Sequence, residues 1–124
     1  MSTTLEDHVL NQAATKLGFN EEEPNINQGY GQNTSFKNLG YPQSHHQPDG
    51  WYIPKDKNAG IILETKRPSE EVTNQKHIDQ LLTNCAVLAT THRNVIGILY
   101  NGKETNIFIN GDHIPELSGK PLEH

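Results

Sequence analysis

The stretch Ile61-Ile62-Leu63-Glu64-Thr65-Lys66 decides how this chain folds. An apolar, β-branched run that ends in charged residues predicts a central β-strand over 61–66. Strand side chains alternate between the two faces of a sheet, so Glu64 and Lys66 are expected on one face. Leu63 and Thr65 are expected on the other. The acid Glu64 and the base Lys66 therefore share one face at the end of a strand whose other residues are expected to form the hydrophobic core.

A second acid lies a short distance upstream. Pro48-Asp49-Gly50 leads into a predicted short strand over 51–53, and a turn over 54–60 connects it to the central strand. If these strands pair as a hairpin, Asp49 comes to lie beside Glu64. Alone, Asp49 fits an ordinary turn before a strand, and a Glu-x-Lys triplet is frequent by chance. Only their combination predicts a site.

Two helices and two further strands are predicted around this hairpin. Apolar residues at helical spacing predict a helix over 4–17 and a second helix over 69–90. The segments 95–100 and 105–109 are predicted strands, and Asn101-Gly102 between them is typical of a two-residue hairpin with a type I′ turn. This order predicts an α/β fold, a mixed central β-sheet flanked by helices.

The segment 20–47 is rich in Asn, Gln, Gly and Ser, which predicts a long loop. Within it, 36–39 is a candidate short strand or turn. Gly29-Tyr30-Gly31-Gln32 has neither a preceding apolar strand nor the lysine of a phosphate-binding loop, so it is predicted to be a flexible loop.

Length and composition indicate one domain. The chain has 124 residues, of which 32% are hydrophobic, and residues 1–121 are expected to form a single unit. It has no apolar run long enough to cross a bilayer and no secretion signal, which predicts a cytoplasmic protein with no membrane partner. Leu122-Glu123-His124 is typical of the start of an engineered tail, so the natural part is expected to be a fragment of a longer protein.

Cysteine and histidine are not expected to carry chemistry. Cys85 falls on the apolar side of the second predicted helix, where a thiol acts as a small hydrophobe. His45-His46 are adjacent in a polar segment, which is poor spacing for tetrahedral zinc, and no Cys-x-x-Cys pair is present.

The charge distribution is uneven. A net charge of −5 argues against strong binding to nucleic acid, since affinity for the duplex comes largely from Lys and Arg. Between Lys55 and Lys103, however, seven basic residues stand against five acidic ones. The segment that holds the candidate chemistry is thus locally basic.

Taken together, these residues resemble the PD-(D/E)XK nuclease superfamily. Asp49 precedes one strand, Glu64-Thr65-Lys66 closes the strand paired with it, and an apolar helix follows to cover the sheet. The strand that ends in Asn101-Gly102 extends the likeness to the amino-terminal nuclease domain of type I restriction subunits and fused restriction-methylation enzymes. The resemblance covers about residues 4–109 and is most specific at 48–66.

The resemblance implies roles for individual residues. Asp49, Glu64 and the carbonyl oxygen of Thr65 are expected to hold Mg²⁺, for which Mn²⁺ can substitute, and hard oxygen ligands suit that ion. Lys66 is expected to contact the attacking water or the scissile phosphate. Glu6, on the leading helix, resembles the acid that completes the metal site in some members. Its alternative role is a capping box with Thr3.

The second helix contributes a further candidate. Gln80 resembles a glutamine that reaches the active site in related enzymes, commonly with a tyrosine four residues later. Asn84 occupies that position here, which is a departure from the pattern. Alternatively, Gln80 and Asn84 are simply solvated residues of one polar helix face. Lys76 and His77 are expected either to touch the DNA backbone or to be ordinary surface.

The implied function is a metal-dependent endonuclease domain that hydrolyses DNA phosphodiester bonds. Its expected partners are DNA and the other domains or subunits of a restriction-modification enzyme. Two alternatives stay open: a non-catalytic nuclease-like module for DNA docking or subunit interaction, and a structure-selective nuclease such as a junction resolvase.

Overall fold

The computed structural model describes residues 5–31 and 33–118. Thr3 and the predicted tail 122–124 lie outside these residues. The elements, in chain order, are α1 (Leu5–Leu17), β1 (Ile26–Tyr30), a 3₁₀ helix (Phe36–Leu39), β2 (Gly50–Pro54), β3 (Ala59–Thr65), α2 (Gln75–Leu88), β4 (Asn94–Tyr100), β5 (Thr105–Ile109) and β6 (Asp112–His113).

The strands form one six-stranded sheet in the order β1-β2-β3-β4-β5-β6. Only β3 and β4 are parallel, and α2 is the connection that a parallel pair requires. The other neighbours pair antiparallel. The predicted α/β fold with a mixed central sheet is confirmed. Neither helix of the described residues has the length and apolar character needed to cross a membrane.

The two helices cover opposite faces of the sheet, and β3 supplies core to both. Ile62 is fully buried in the cluster built around α2, together with Leu81. Leu63 is fully buried in the cluster built around α1, together with Ala13. The alternation predicted for the central strand is therefore confirmed, and residues of even number in β3 turn toward α2.

Two glycines let α2 lie close against the sheet. A Cβ atom at Gly97 would stand 2.8 Å from the Cys85 sulfur, and one at Gly60 would stand 2.6 Å from a Leu88 methyl carbon. Any larger residue at either position would push the helix away. Cys85 is buried, as predicted, and burial raises the pKa of its thiol to about 12, so it is not a nucleophile at neutral pH.

The predicted loop over 20–47 is wrong for residues 26–30, which form the edge strand β1. This strand pairs with β2 along its whole length, with Gly29 opposite Trp51. A Cβ atom at Gly29 would stand 2.8 Å from the Trp51 ring, so only glycine leaves enough space for the indole here. Pairing with an apolar neighbour stabilises a strand whose own sequence is too polar to predict one. Residues 36–39 form a 3₁₀ helix rather than a strand.

The boundaries of two other predictions are also wrong. The second helix begins at Gln75, not at Ser69, because the Asn74 side chain caps it by accepting from the Lys76 amide at 2.9 Å. Residues 66–74 form irregular turns. The hairpin that follows β4 has a four-residue loop, since Tyr100 pairs with Thr105.

The Asn101 side chain explains the longer hairpin loop. Its oxygen accepts from the backbone amides of Lys103 at 3.0 Å and Glu104 at 2.9 Å. These bonds replace those of the predicted two-residue turn, and only Gly102 takes a positive φ, of 93°.

Candidate active site

The candidate site lies where β3 ends. Gly50 is paired with Leu63, so the same register, continued by one residue, sets Asp49 opposite Glu64. Residues opposite each other in antiparallel strands are close neighbours. The hairpin thus brings together the two acids that the sequence separates by fifteen positions.

Asp49 is fixed by the residue that follows Glu64. Its Oδ2 atom accepts a hydrogen bond from the Thr65 amide at 2.8 Å and another from the Thr65 hydroxyl at 3.0 Å. The side chain is buried, with 9% of the residue exposed. Burial raises the pKa of the Asp49 carboxyl group, and the two Thr65 hydrogen bonds act in the opposite direction.

Glu64 is buried more deeply, with 1% of the residue exposed. Its Oε1 atom accepts a hydrogen bond from the Asn84 side-chain amide on α2. Burial raises the pKa of Glu64 well above its usual value, and the charge of Asp49 raises it further, against the Asn84 bond and Lys66. The charge of Asp49 therefore makes it harder for Glu64 to ionise, and a positive charge between the two acids would favour both carboxylates.

Lys66 also faces α2. Its ammonium group donates to the Gln80 side-chain oxygen at 3.1 Å. Gln80 and Asn84 are one helical turn apart on α2, and Glu64 and Lys66 are two residues apart along the strand. The two pairs therefore contact each other residue by residue: Gln80 binds Lys66, and Asn84 binds Glu64. The prediction that Glu64 and Lys66 share a face is confirmed.

The alternative that Gln80 and Asn84 are solvated helix residues is wrong for Asn84, of which only 2% is exposed, whereas Gln80 is exposed.

Glu6 lies at the border of this site. Burial raises the pKa of Glu6, and the next largest influences are the charges of Asp49, which raises it, and Lys66, which lowers it. Among residues 5–31 and 33–118, no three His, Cys, Asp or Glu side chains are arranged to hold a metal ion. The structure therefore does not bring Glu6 together with Asp49 and Glu64 as a third acid ligand, and the set proposed for a cation is Asp49, Glu64 and the Thr65 carbonyl oxygen.

This donor set fits a hard divalent cation. Carboxylate and carbonyl oxygens are the ligands of Mg²⁺, which keeps several of its waters and needs few protein ligands. A nearby cation would also favour the ionised form of Glu64, whose pKa burial and the charge of Asp49 raise. The chemistry of the residues is thus compatible with the ion that the resemblance implies.

The raised acid pKa values predict a pH-dependent stability without divalent cations. The folded protein binds the Glu64 proton more tightly than the unfolded chain, so the stability due to this group is greatest below its usual pKa of 4.5. It is lost as pH rises through the raised folded pKa. We therefore expect Glu64→Gln to gain stability over wild type between pH 5 and pH 8, as measured by urea unfolding in EDTA.

Adding Mg²⁺ is expected to reverse this difference. The ion stabilises wild type at pH 8, where both acids can ionise, and leaves Glu64→Gln nearly unchanged. Glu71→Gln, at an exposed acid on the 66–74 segment, is the matched control and is expected to respond to Mg²⁺ as wild type does. A pH-independent difference between wild type and Glu64→Gln would contradict the prediction.

Sequence reasoning missed two contacts that hold the site. The role expected for Thr65 concerned its carbonyl oxygen, whereas its amide and hydroxyl also anchor Asp49. The expected tyrosine position carries Asn84, which anchors Glu64. The Gln80-x-x-x-Asn84 spacing was the available signal for the second contact. It puts two polar side chains on neighbouring positions of one helix face, as Glu64-x-Lys66 does on one strand face.

Comparison with protein-family models, curated proteins and solved structures finds no match to this chain.

Proposed function

We propose that this chain is a metal-dependent endonuclease domain of the PD-(D/E)XK type that hydrolyses DNA phosphodiester bonds as the amino-terminal part of a restriction-modification enzyme. One observation carries the proposal: Asp49, Glu64 and Lys66 meet at one end of β3, each held by a defined neighbour. A sheet that needed only core would not bury two interacting acids there, since burying a charge is costly. Such perturbed acids are typical of functional sites.

The chain's own residues divide the work of such a reaction. Asp49 and Glu64 hold a cation, and Thr65 and Asn84 fix the orientation of these two acids. When bound, the cation neutralises charge that develops on the phosphate and activates water. Because the two carboxyl groups are fixed by neighbours before a substrate binds, little reorganisation is needed at the moment of reaction.

Lys66 serves the phosphate side of the reaction. Its ammonium group is a mobile point charge on a long stem, suited to a phosphate oxygen or to the attacking water. Gln80 holds it through a side-chain oxygen, which is a neutral acceptor that a phosphate can displace. The proposed role of Gln80 is therefore to position Lys66.

A non-catalytic module is the second candidate. The net charge of −5 favours it, since tight DNA binding needs basic surface. Asn84 at the position where related enzymes commonly carry tyrosine also favours it. Against it stand the three site residues, all retained and all oriented by hydrogen bonds.

Plasmid nicking tests the proposal. We expect wild type to nick supercoiled plasmid with Mg²⁺ or Mn²⁺ and not with EDTA, and Lys66→Ala to be about a hundredfold slower. Lys55→Ala, an exposed lysine in the turn between β2 and β3, is the control and is expected to match wild type. Equal activity of Lys66→Ala and wild type excludes the assigned site. Absence of nicking by wild type at high enzyme concentration favours the non-catalytic module, and preference for a branched substrate favours a resolvase.

A further inference from the structure

His77 is a buried histidine that the proposed reaction does not use. It lies in the first turn of α2, and 8% of the residue is exposed. Its Nε2 atom stands 3.5 Å from the Oε1 atom of Glu70, on the turn segment 66–74. The Glu70 side chain is itself 41% exposed, so the pair lies at the rim of the fold rather than in its core.

His77 belongs to the helix line that holds the candidate site. His77, Gln80 and Asn84 follow one another at helical spacing on α2, where His77 and Asn84 are buried and Gln80 is exposed. Asn84 holds Glu64, Gln80 holds Lys66, and His77 holds Glu70. The contact between His77 and Glu70 thus extends the two contacts, of Asn84 and of Gln80, that orient the site.

Glu70 is bonded to the residue that follows β4, and the last residue of β4, Tyr100, is paired with Thr65 of the site. The charge of Glu70 raises the pKa of Glu6 on α1 as well as that of His77 on α2, so it influences both helices. Its backbone carbonyl accepts from the Asn101 side chain at 2.8 Å, which fixes the segment against the end of β4. A negative charge held at this place adds to the field that attracts a cation.

We propose that His77 is a positioning residue for this site: its neutral imidazole holds the Glu70 carboxylate at the rim, and its protonation weakens the binding of a divalent cation by cancelling the charge of Glu70. The inference rests on the proposed function, because it concerns the cation of that site.

The surroundings of the imidazole agree with a neutral ring. Burial lowers the pKa of His77, followed by the charge of Lys66, while Glu70 raises it. Lys76, the preceding residue on the same helix, lowers it as well. These are the charged groups that face the ring: Lys66 from the end of β3, Glu70 from the turn segment and Lys76 from α2.

Linkage makes the proposal measurable without any nuclease assay. If protonation of His77 weakens cation binding, then the cation must lower the pKa of His77 by the same factor. We expect saturating Mg²⁺ to shift the NMR titration of the His77 ring to lower pH, with the signal assigned by its loss in His77→Gln. We also expect His77→Lys, which carries a permanent charge, to bind Mn²⁺ about fivefold more weakly than wild type at pH 7.5.

Conservative variants separate positioning from mere packing. His77→Gln keeps a neutral donor and is expected to bind Mn²⁺ as wild type does at pH 7.5. Glu70→Gln is expected to weaken Mn²⁺ binding, and its neighbour Glu71→Gln is not. Unfolding curves of each variant identify any that fail to fold. The NMR titration is followed in wild type, and His77→Gln serves only to assign the signal.

The outcomes distinguish this inference from the proposed function. An unmoved His77 titration with Mn²⁺ binding intact overturns the inference only, as does an equal effect of Glu70→Gln and Glu71→Gln. Failure of wild type to bind Mn²⁺ at all overturns both. A His77 titration that shifts with Mg²⁺ in a protein that does not nick DNA supports the inference and leaves the cation site without the proposed catalysis.

Discussion

Asp49→Asn is expected to abolish metal-dependent nicking, by about a thousandfold, and to leave the cation-free protein as stable as wild type or more stable. Activity falls because the carboxylate that faces Glu64 becomes a neutral amide, which is a poor ligand for a hard cation. Stability is kept because the amide oxygen can still accept from the Thr65 amide and hydroxyl. The change also removes one of two acids that repel each other.

A loss of activity without a loss of stability distinguishes an acid that serves function from one that serves the fold. An acid whose negative charge the fold needs costs stability when its neutral amide replaces it, whereas replacing a cation ligand costs function. The measurements are plasmid nicking with Mg²⁺ and urea unfolding at pH 8 in EDTA. Asp112→Asn, an exposed acid on β6, is the control and is expected to change neither. A loss of stability with nicking intact would assign Asp49 a structural role.

Asn84→Leu is expected to cost about 2 to 3 kcal/mol of stability at pH 8, because it removes the hydrogen-bond donor of a buried carboxylate. At pH 5 the cost is smaller, since a protonated Glu64 needs its partner less. The pKa of Glu64 rises further without the Asn84 donor, so the loss of stability follows its ionisation. Chemical denaturation at both pH values measures the difference.

A double variant shows that the loss comes from the unpaired acid. Adding Glu64→Met to Asn84→Leu replaces both partners by apolar side chains of similar length, which is expected to recover most of the stability at pH 8. Thr83→Ala, on the exposed face of the same helix turn, is the control. An equal cost of Asn84→Leu at both pH values, or no recovery in the double variant, would show that Asn84 matters for packing alone.

The helix interface links these two predictions. Gly97 and Gly60 let α2 approach the sheet closely enough for Asn84 and Gln80 to reach β3. The site therefore depends on a contact between helix and sheet that contains no catalytic side chain. Gly60 on β3 and Gly97 on β4 thus determine how closely α2 packs on the sheet, and with it the distance between the polar residues of α2 and the end of β3.

The sequence by itself determined the elements with strong local signals. The apolar run of β3, its alternation between two core clusters, and the apolar stripe of α2 follow from side-chain periodicity, which depends on neighbours a few positions away. The same periodicity predicts that Glu64 and Lys66 share one face. The hairpin that brings Asp49 beside Glu64 is also a local structure, so the sequence indicates this pair as well.

Only the tertiary structure decided the rest. Strand β1 is polar in its own sequence and exists because β2 offers it a partner, and the start of α2 depends on the Asn74 side chain rather than on a broad pattern. The anchoring of Glu64 by Asn84 joins residues twenty positions apart, across the interface between helix and sheet. Such contacts depend on packing distance, whereas spacing along the chain indicates only which side chains share a face of one element.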